Sequence, residues 1–289
     1  MELTNKPNYV GVGGHSLPKD LPRFEREKNV WAAEVKRDGC WCEIRTDENG
    51  IIQKLIGRSG LEFGGDVVSG LKGLRTPWPN TVLVGELETA TEASTKVFQK
   101  VGYRRVWIFD TTILLGYEVH PLEYDTRRKL LEASFKQFSG PAKERLLLVE
   151  QVTENFEPFF NQVMEQGGEG LVLKKRSSLY KQTSSGRTDQ WVRCKTLRHV
   201  DYFVTRWELT EKGNVSLWLA LYRGGKFVEV GKIIAPVNIH GGMTRNGGAK
   251  TLVGKVIECI GAEVHDSGML RHCRFNRIRL DKKAEECNG

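Results

Sequence analysis

The first two-thirds of the chain alternates short β-branched or aromatic runs with turn-forming clusters. Val30–Val35, Cys42–Arg45, Ile51–Gly57, Val82–Leu87, Val106–Leu115 and Gly170–Lys175 predict strands of antiparallel sheets. Apolar positions at helical spacing predict helices over Tyr124–Phe138 and Phe156–Gln166, with Leu130, Leu131 and Phe135 on one face of the first. Many strands with few helices make an α+β domain the expectation.

The texture changes near Leu197–Phe203. Beyond it, the alternating runs Val215–Tyr222 and Phe227–Ile234 flank Arg223-Gly224-Gly225-Lys226, a strong hairpin signal because a type I′ turn needs positive φ at both central residues. Another strand, Lys255–Val264, follows a glycine-rich loop at Gly241–Gly248. About 90 residues of short strands after a linker predict a small Greek-key β-barrel of the OB type. The expected division is residues 1–198 and 199–289, with no internal repeat.

Charge sharpens this division. Lys and Arg exceed Asp and Glu by 44 − 36 = 8, and residues 201–289 carry 14 basic and 10 acidic groups, half of that excess in under a third of the chain. Arg271, Arg274, Arg277, Arg279, Lys282 and Lys283 form the densest run, suited to a polyanion such as nucleic acid or a triphosphate. The six cysteines include no Cys-x-x-Cys pair, which argues against a zinc knuckle or a thioredoxin-like redox site. No signal pattern occurs in Met1–Leu17 and no apolar run approaches membrane-spanning length, so the expectation is a cytoplasmic protein with reduced thiols and no membrane partner. Gly11-Val-Gly-Gly14 and Gly247-Gly-Ala-Lys-Thr251 lack the context of a phosphate loop and read as flexible loops.

Turn arithmetic brings candidate chemistry together. If Asp38-Gly39 and Asn49-Gly50 are both two-residue turns, Lys36 pairs with Trp41 and Trp41 with Arg58, placing the three in a row across adjacent strands. A one-residue slip would scatter them. A lysine beside other positive charge is disfavoured as an ammonium, which suits it to act as a nucleophile.

Lys36-Arg-Asp-Gly39 resembles the lysine signature of covalent nucleotidyltransferases, and further motifs follow in the order seen in compact bacterial and phage ATP-dependent DNA ligases. These are Gly57-Arg-Ser-Gly60, Gly85-Glu86-Leu87, Trp107-Ile-Phe-Asp110, Glu169-Gly-Leu-Val-Leu-Lys174, Gly186-Arg187, Trp191-Val-Arg-Cys-Lys195 and the ending Leu270-Arg-His-Cys-Arg-Phe-Asn-Arg-Ile-Arg-Leu-Asp-Lys282. The resemblance spans Pro18 to Lys283 and implies an antiparallel-sheet nucleotidyltransferase domain followed by the OB-fold domain. It implies adenylation of Lys36 by ATP with Mg²⁺, or Mn²⁺ in its place, and sealing of nicked double-stranded DNA by a monomer. Glu169 and Glu86 would hold the metal; Arg193 and Lys195 would grip the α-phosphate, with Lys36 and Glu169 completing the catalytic set. Glu34, Arg58 and Phe109 would contact the nucleotide, and Arg279, Asp281 and Lys282 would close over ATP about a hinge near Leu197–Asp201. Arg58, Arg187, Arg271, Arg274 and Arg277 would meet DNA, mainly at phosphates.

Three positions depart from the family pattern. Trp41 stands where arginine is usual, so the ribose contact expected there must be lost, replaced by stacking or supplied by a residue such as Arg45. Arg193 replaces a lysine, exchanging a point charge for a planar fork. Cys273 replaces a proline, removing a rigid turn. Only 35 residues precede Lys36, which favours ATP over NAD. Alternatives are an RNA ligase, a capping guanylyltransferase, or a non-catalytic OB-fold nucleic-acid-binding protein.

Overall fold

The computed structural model describes residues 9–64, 70–89, 103–181, 186–235, 250–261 and 264–288. The predicted loop Gly241–Gly248 lies outside these residues. The chain forms two compact units, Met1–Lys195 and Thr196–Gly289.

Two sheets packed with helices make up the described part of the first unit. The first sheet contains β1 (Gly11–Ser16), β2 (Trp31–Val35), β9 (Gln151–Val152), β10 (Leu171–Lys175) and β11 (Arg187–Cys194), in the order β1-β11-β10-β2-β9. The second holds β3 (Cys40–Thr46), β4 (Ile52–Gly57), β5 (Val82–Thr89), β6 (Tyr103–Leu114) and β7 (Tyr117–Glu118), in the order β4-β3-β5-β6-β7, with β8 (Leu146–Leu148) parallel to β6. Among the described residues the helices are α1 (Leu21–Arg26), α2 (Tyr124–Lys136) and α3 (Phe156–Glu165). Phe24 of α1 and Phe156, Phe159, Phe160 and Val163 of α3 bury against Ala33, Leu171 and Leu173 of the first sheet. Leu131 and Phe138 join the core of the second sheet with Ile44, Leu83 and Ile108. A smaller cluster of Val10, Val84, Tyr180 and Trp191, with Trp41, Phe109 and Val172 against it, lies between the sheets.

Three expectations need correction here. The Asp38-Gly39 segment does not close a hairpin: β2 pairs with β10 and β9, while β3 pairs with β4 and β5, so the segment carries the chain from one sheet to the other. Gly39 is required by proximity, since a Cβ there would run into the carbonyl oxygen of Leu87. Gly11-Val-Gly-Gly14 is strand, not loop: β1 lies parallel to β11, and a Cβ on Gly13 or Gly14 would strike Thr188 or Val192. Finally, Leu130 is exposed; α2 turns Tyr124, Arg127, Arg128 and Leu131 inward, with Arg127 forked onto buried Asp110 at 2.7 and 2.8 Å. A charged residue cannot be placed on a buried face by apolar spacing when its partner is 17 residues away.

The second register inference holds only in part, since the pairing stops short of Trp41 and Arg58. Cys42 opposes Gly57 and Ile44 opposes Leu55, although a bulge at Arg45/Thr46 makes the turn longer than two residues.

In the second unit, β12 (Arg198–Leu209), β13 (Val215–Arg223), β14 (Lys226–Ile234), β15 (Val256–Gly261) and β16 (Arg274–Ile278) form an antiparallel sheet ordered β14-β13-β12-β15-β16. Arg223 opposes Lys226 across Gly224 and Gly225, both at positive φ, which is the two-residue turn expected. Among the described residues the order is open, with β14 and β16 as its ends. No helix among them is long and apolar enough to cross a membrane.

Candidate active site

A cavity of about 570 Å³ opens between the two sheets of the first unit, lined by residues of both, including Lys36, Trp41, Arg58, Glu86, Phe109 and Trp191. Its polar end is built from segments far apart in sequence. The Lys36 amide donates to the Gly170 carbonyl oxygen at 2.8 Å, tying the end of β2 to the residue before β10. Gly170 has φ +128°, and a Cβ there would collide with the carbonyl oxygen of Cys194. Only glycine lets that turn approach the end of β11 so closely. As a result Glu169 reaches both Lys36 and Lys195, its Oε2 receiving the Lys36 ammonium and its Oε1 the Lys195 ammonium.

Burial works against charge on Glu169, yet the two lysines outweigh it and hold its carboxyl below the ordinary value. Lys195 is lowered, by burial first and then by repulsion from Lys36. Across the cavity, Glu86 is pushed up to about 8 by burial, with Lys36 opposing the rise and Glu169 and Asp38 adding to it.

The opposite end is aromatic. Phe109 and Trp191 meet edge to face at 6.3 Å, and Tyr180 meets Trp191 at 5.8 Å. Beneath them Lys174 is fully buried, its Nζ 4.3 Å from the Trp191 ring centroid and 4.6 Å from that of Phe109. It pairs with Glu34 at 2.7 Å, and Glu34 also pairs with Arg128 at 3.3 Å and accepts from the Tyr124 hydroxyl. Glu34 lines the cavity, with its carboxylate held in this buried network.

Trp41 and Glu86 are directly opposed on β3 and β5, and Glu86 is opposed to Trp107 on β6. This row replaces the inferred row of Lys36, Trp41 and Arg58: Lys36 arrives from the other sheet, while Arg58 remains on the cavity with its guanidinium 5.5 Å from the Tyr9 ring. Arg45, the suggested substitute for the family arginine, is buried in an ion pair with Glu43 at 2.6 Å and does not line the cavity. Arg193 lies half-buried on β11 between Val192 and Cys194, opposite Val172, outside the cavity lining. Arg187 is exposed at the start of β11, opposite Gly11.

The remaining candidates belong to the second unit. Arg279 chelates Asp281 at 2.9 and 2.8 Å and reaches Asp201 at 2.8 Å, which also binds Lys282 at 2.7 Å. The Arg279 fork holds Asp281 down to about 2. Arg277 pairs with Glu258 at 3.1 Å, and Arg274 and Arg271 stand on or beside β16. Sequence reasoning missed Tyr9, which packs on Trp41, and Arg37, whose guanidinium stacks 3.5 Å above Trp107 and anchors the segment after Lys36. The arginine was in view within Lys36-Arg-Asp-Gly39, but its stacking partner is 70 residues away.

Residues 17–195 match the family model for the ATP dependent DNA ligase domain, more than half of the chain. The chain belongs to this ligase family. The DNA ligase of Thermoplasma volcanium is 33% identical over 105 residues, 36% of this ligase chain and 17% of that enzyme. DNA ligase 2 of Korarchaeum cryptofilum is 33% identical over 107 residues, 36% of this chain and 16% of that one. The match therefore spans under a fifth of these relatives. The ligase chain also shares its fold with a mycobacterial DNA ligase D complexed with ATP and MES, at TM-score 0.55 and 21% identity over 99% of each chain. A Lig E DNA ligase, studied for DNA binding with a minimal scaffold, superposes at TM-score 0.63 with 19% identity over 94% of this ligase chain and 99% of that one.

Proposed function

We propose that this chain is an ATP-dependent DNA ligase that seals nicks in duplex DNA through a Lys36–AMP intermediate. The observation that carries the reading is that Lys36 lines a cavity together with Phe109 and Trp191 and is paired with Glu169, which also holds Lys195. An adenine fits the aromatic end, and a triphosphate fits the cationic one.

In the first transfer, Lys36 Nζ attacks the α-phosphorus of ATP. A P–N bond forms, the bond to pyrophosphate breaks, and Nζ gives up a proton. Glu169 is the carboxylate in contact with that amine, so the nucleophile is oriented before the nucleotide arrives. AMP then passes to the 5′-phosphate of a nick, and the 3′-hydroxyl displaces it. Each step gathers charge on non-bridging oxygens, for which Lys195 and Arg193 are the proposed stabilisers.

Magnesium fits the donor set. Burial pushes Glu86 up to about 8, with Glu169 and Asp38 adding to the rise, and a divalent cation beside it would oppose that rise. Glu169 and Glu86 would hold it, and when bound it would supply charge neutralisation at the phosphates. The described residues contain no group of three metal-binding side chains, so substrate oxygens and water would complete its shell.

The second unit is read as an OB-type barrel from its five antiparallel strands and tight hairpin, with residues 1–198 and 199–289 as the two domains. Arg279, Asp281 and Lys282 are assigned to the leaving pyrophosphate; Arg58, Arg187, Arg271, Arg274 and Arg277 are assigned to DNA phosphates, acting in a cytoplasmic monomer. A nicked duplex carrying a 5′-phosphate should be joined with ATP and magnesium, and not with GTP. Preferential joining of nicked RNA, or transfer of GMP to a capping acceptor, would overturn the DNA assignment.

A further inference from the structure

Arg37, the residue after Lys36, carries a charge that no described residue neutralises. Its guanidinium stacks 3.5 Å above the Trp107 ring. That ring is held in place, since its indole N–H donates to Glu88 at 3.1 Å and Glu88 is paired with Arg105 at 2.6 Å. A guanidinium on an aromatic face keeps its donors in its own plane, free to bind a second partner. Among the described residues none takes that place: Arg37 makes no hydrogen bond or ion pair, and while its Nε is buried, its Nη groups remain accessible. Glu150 and Glu88 attract it without reaching ion-pair distance, and Arg105, 5.6 Å from the same ring, repels it.

Position selects the anion. A half-buried cation without a counter-charge is unfavourable, and Arg37 lines the same cavity as Lys36, next to the amine that attacks phosphorus. Trp107, on which it rests, stands opposite Glu86 across β5 and β6. Under the nucleotide reading above, phosphate is the anion this cavity receives, and a planar fork matches phosphate oxygens in pairs. Resting on that reading, we propose that Arg37, held flat on Trp107, binds a phosphate of the substrate. Two substrates bring such a group to Lys36: ATP, through the pyrophosphate it loses, and the nicked duplex, through its strand backbone. Either phosphate would supply the counter-charge that Glu88, already shared between Arg105 and the indole, does not.

The test begins with wild type. Modification of Arg37 by phenylglyoxal, read by peptide mass, is followed with inorganic pyrophosphate and magnesium, and separately with a nicked duplex. At least one probe should protect Arg37: pyrophosphate if the phosphate belongs to the nucleotide, the duplex if it belongs to DNA. Arg37→Gln, which keeps a planar group over the ring and deletes the charge, should then raise the half-saturating concentration of that partner alone by about tenfold, whether ATP in self-adenylation or nicked duplex in sealing. In the DNA case the slope of log affinity against log salt should also fall by about one. Arg37→Lys, which keeps the charge, should recover part of the loss. Labelling that neither probe slows overturns the proposal without recourse to any variant. So does an Arg37→Gln chain whose maximal rate falls while both half-saturating concentrations stay put, because Arg37 would then act only by holding the segment after Lys36. Absence of any adduct between wild type and ATP would remove the nucleotide reading, a result separate from protection of Arg37, which needs no turnover.

Discussion

Lys36 and Gly170 are joined through their backbones, the amide of one donating to the carbonyl of the other at 2.8 Å, across 134 residues of sequence. This bond, with the collapse of Gly170 onto Cys194, places Glu169 between two lysines. Gly170→Ala should therefore disturb both stability and chemistry. A side chain at φ +128° is strained whatever space it finds, and here it also meets backbone. Urea unfolding should show a loss of about 2–3 kcal/mol, accompanied by at least a tenfold drop in self-adenylation. An alanine variant as stable and as active as wild type would show that the close approach is dispensable.

Glu169→Gln removes the charge that both ammonium groups share while keeping the shape. The fold should survive, since the side chain keeps its size. Self-adenylation should fall by about two orders of magnitude, the size of effect seen when one oriented electrostatic group leaves an active site. Unchanged adenylation would place the metal and the proton elsewhere.

Lys174 and Glu34 are both almost fully buried and paired at 2.7 Å. Lys174→Ala leaves Glu34 with Arg128 and Tyr124 alone and opens space beneath Phe109 and Trp191. Breaking a buried pair from one side costs about 3–5 kcal/mol. Lys174→Met, which keeps the length beneath the aromatic rings, should lose less than the alanine variant in the same unfolding measurement. Equal losses would mean that packing contributes nothing at this position.

Much of the fold was legible in the sequence because half-buried strands write period-two patterns and tight turns need glycine. The Gly224-Gly225 hairpin and the Cys42–Gly57 register are examples. Asp38-Gly39 misled because the same dipeptide serves a hairpin and a crossing between sheets, and only the Leu87 carbonyl distinguishes them. Strand β1 was hidden by its glycines, which reflect close approach to β11 and not looseness. The family motifs named Lys36, Glu169, Lys195 and Arg193, of which the first three are in contact, but local spacing holds no record that Glu34 is occupied by Lys174, Arg128 and Tyr124. Tyr9 was invisible for the same reason: its importance lies in a contact with Trp41, 32 residues along the chain.

Acid should weaken the second unit through Glu258. Burial would raise this carboxyl, but hydrogen bonds from Arg277, Asn276 and His199 prevail and hold it at about 2, against an ordinary value of 4.5. The folded state thus binds this proton less readily than the unfolded chain. Its contribution is complete above about pH 4.5 and drains away as pH falls towards about 2. Glu258→Gln should lower the melting temperature at pH 7, and the gap to wild type should narrow steadily over that window. A gap of constant size at all pH values would exclude the ionised carboxylate as its source.

Adenylation of Lys36 is most directly measured by incubating the intact chain with ATP labelled in its α-phosphate and with magnesium, then resolving it on a denaturing gel. Wild type should retain one AMP, recovered on the peptide that contains Lys36, while Lys36→Ala should retain none. An unlabelled wild type, or a Lys36→Ala chain that still carries label, would contradict the covalent chemistry assigned to this residue.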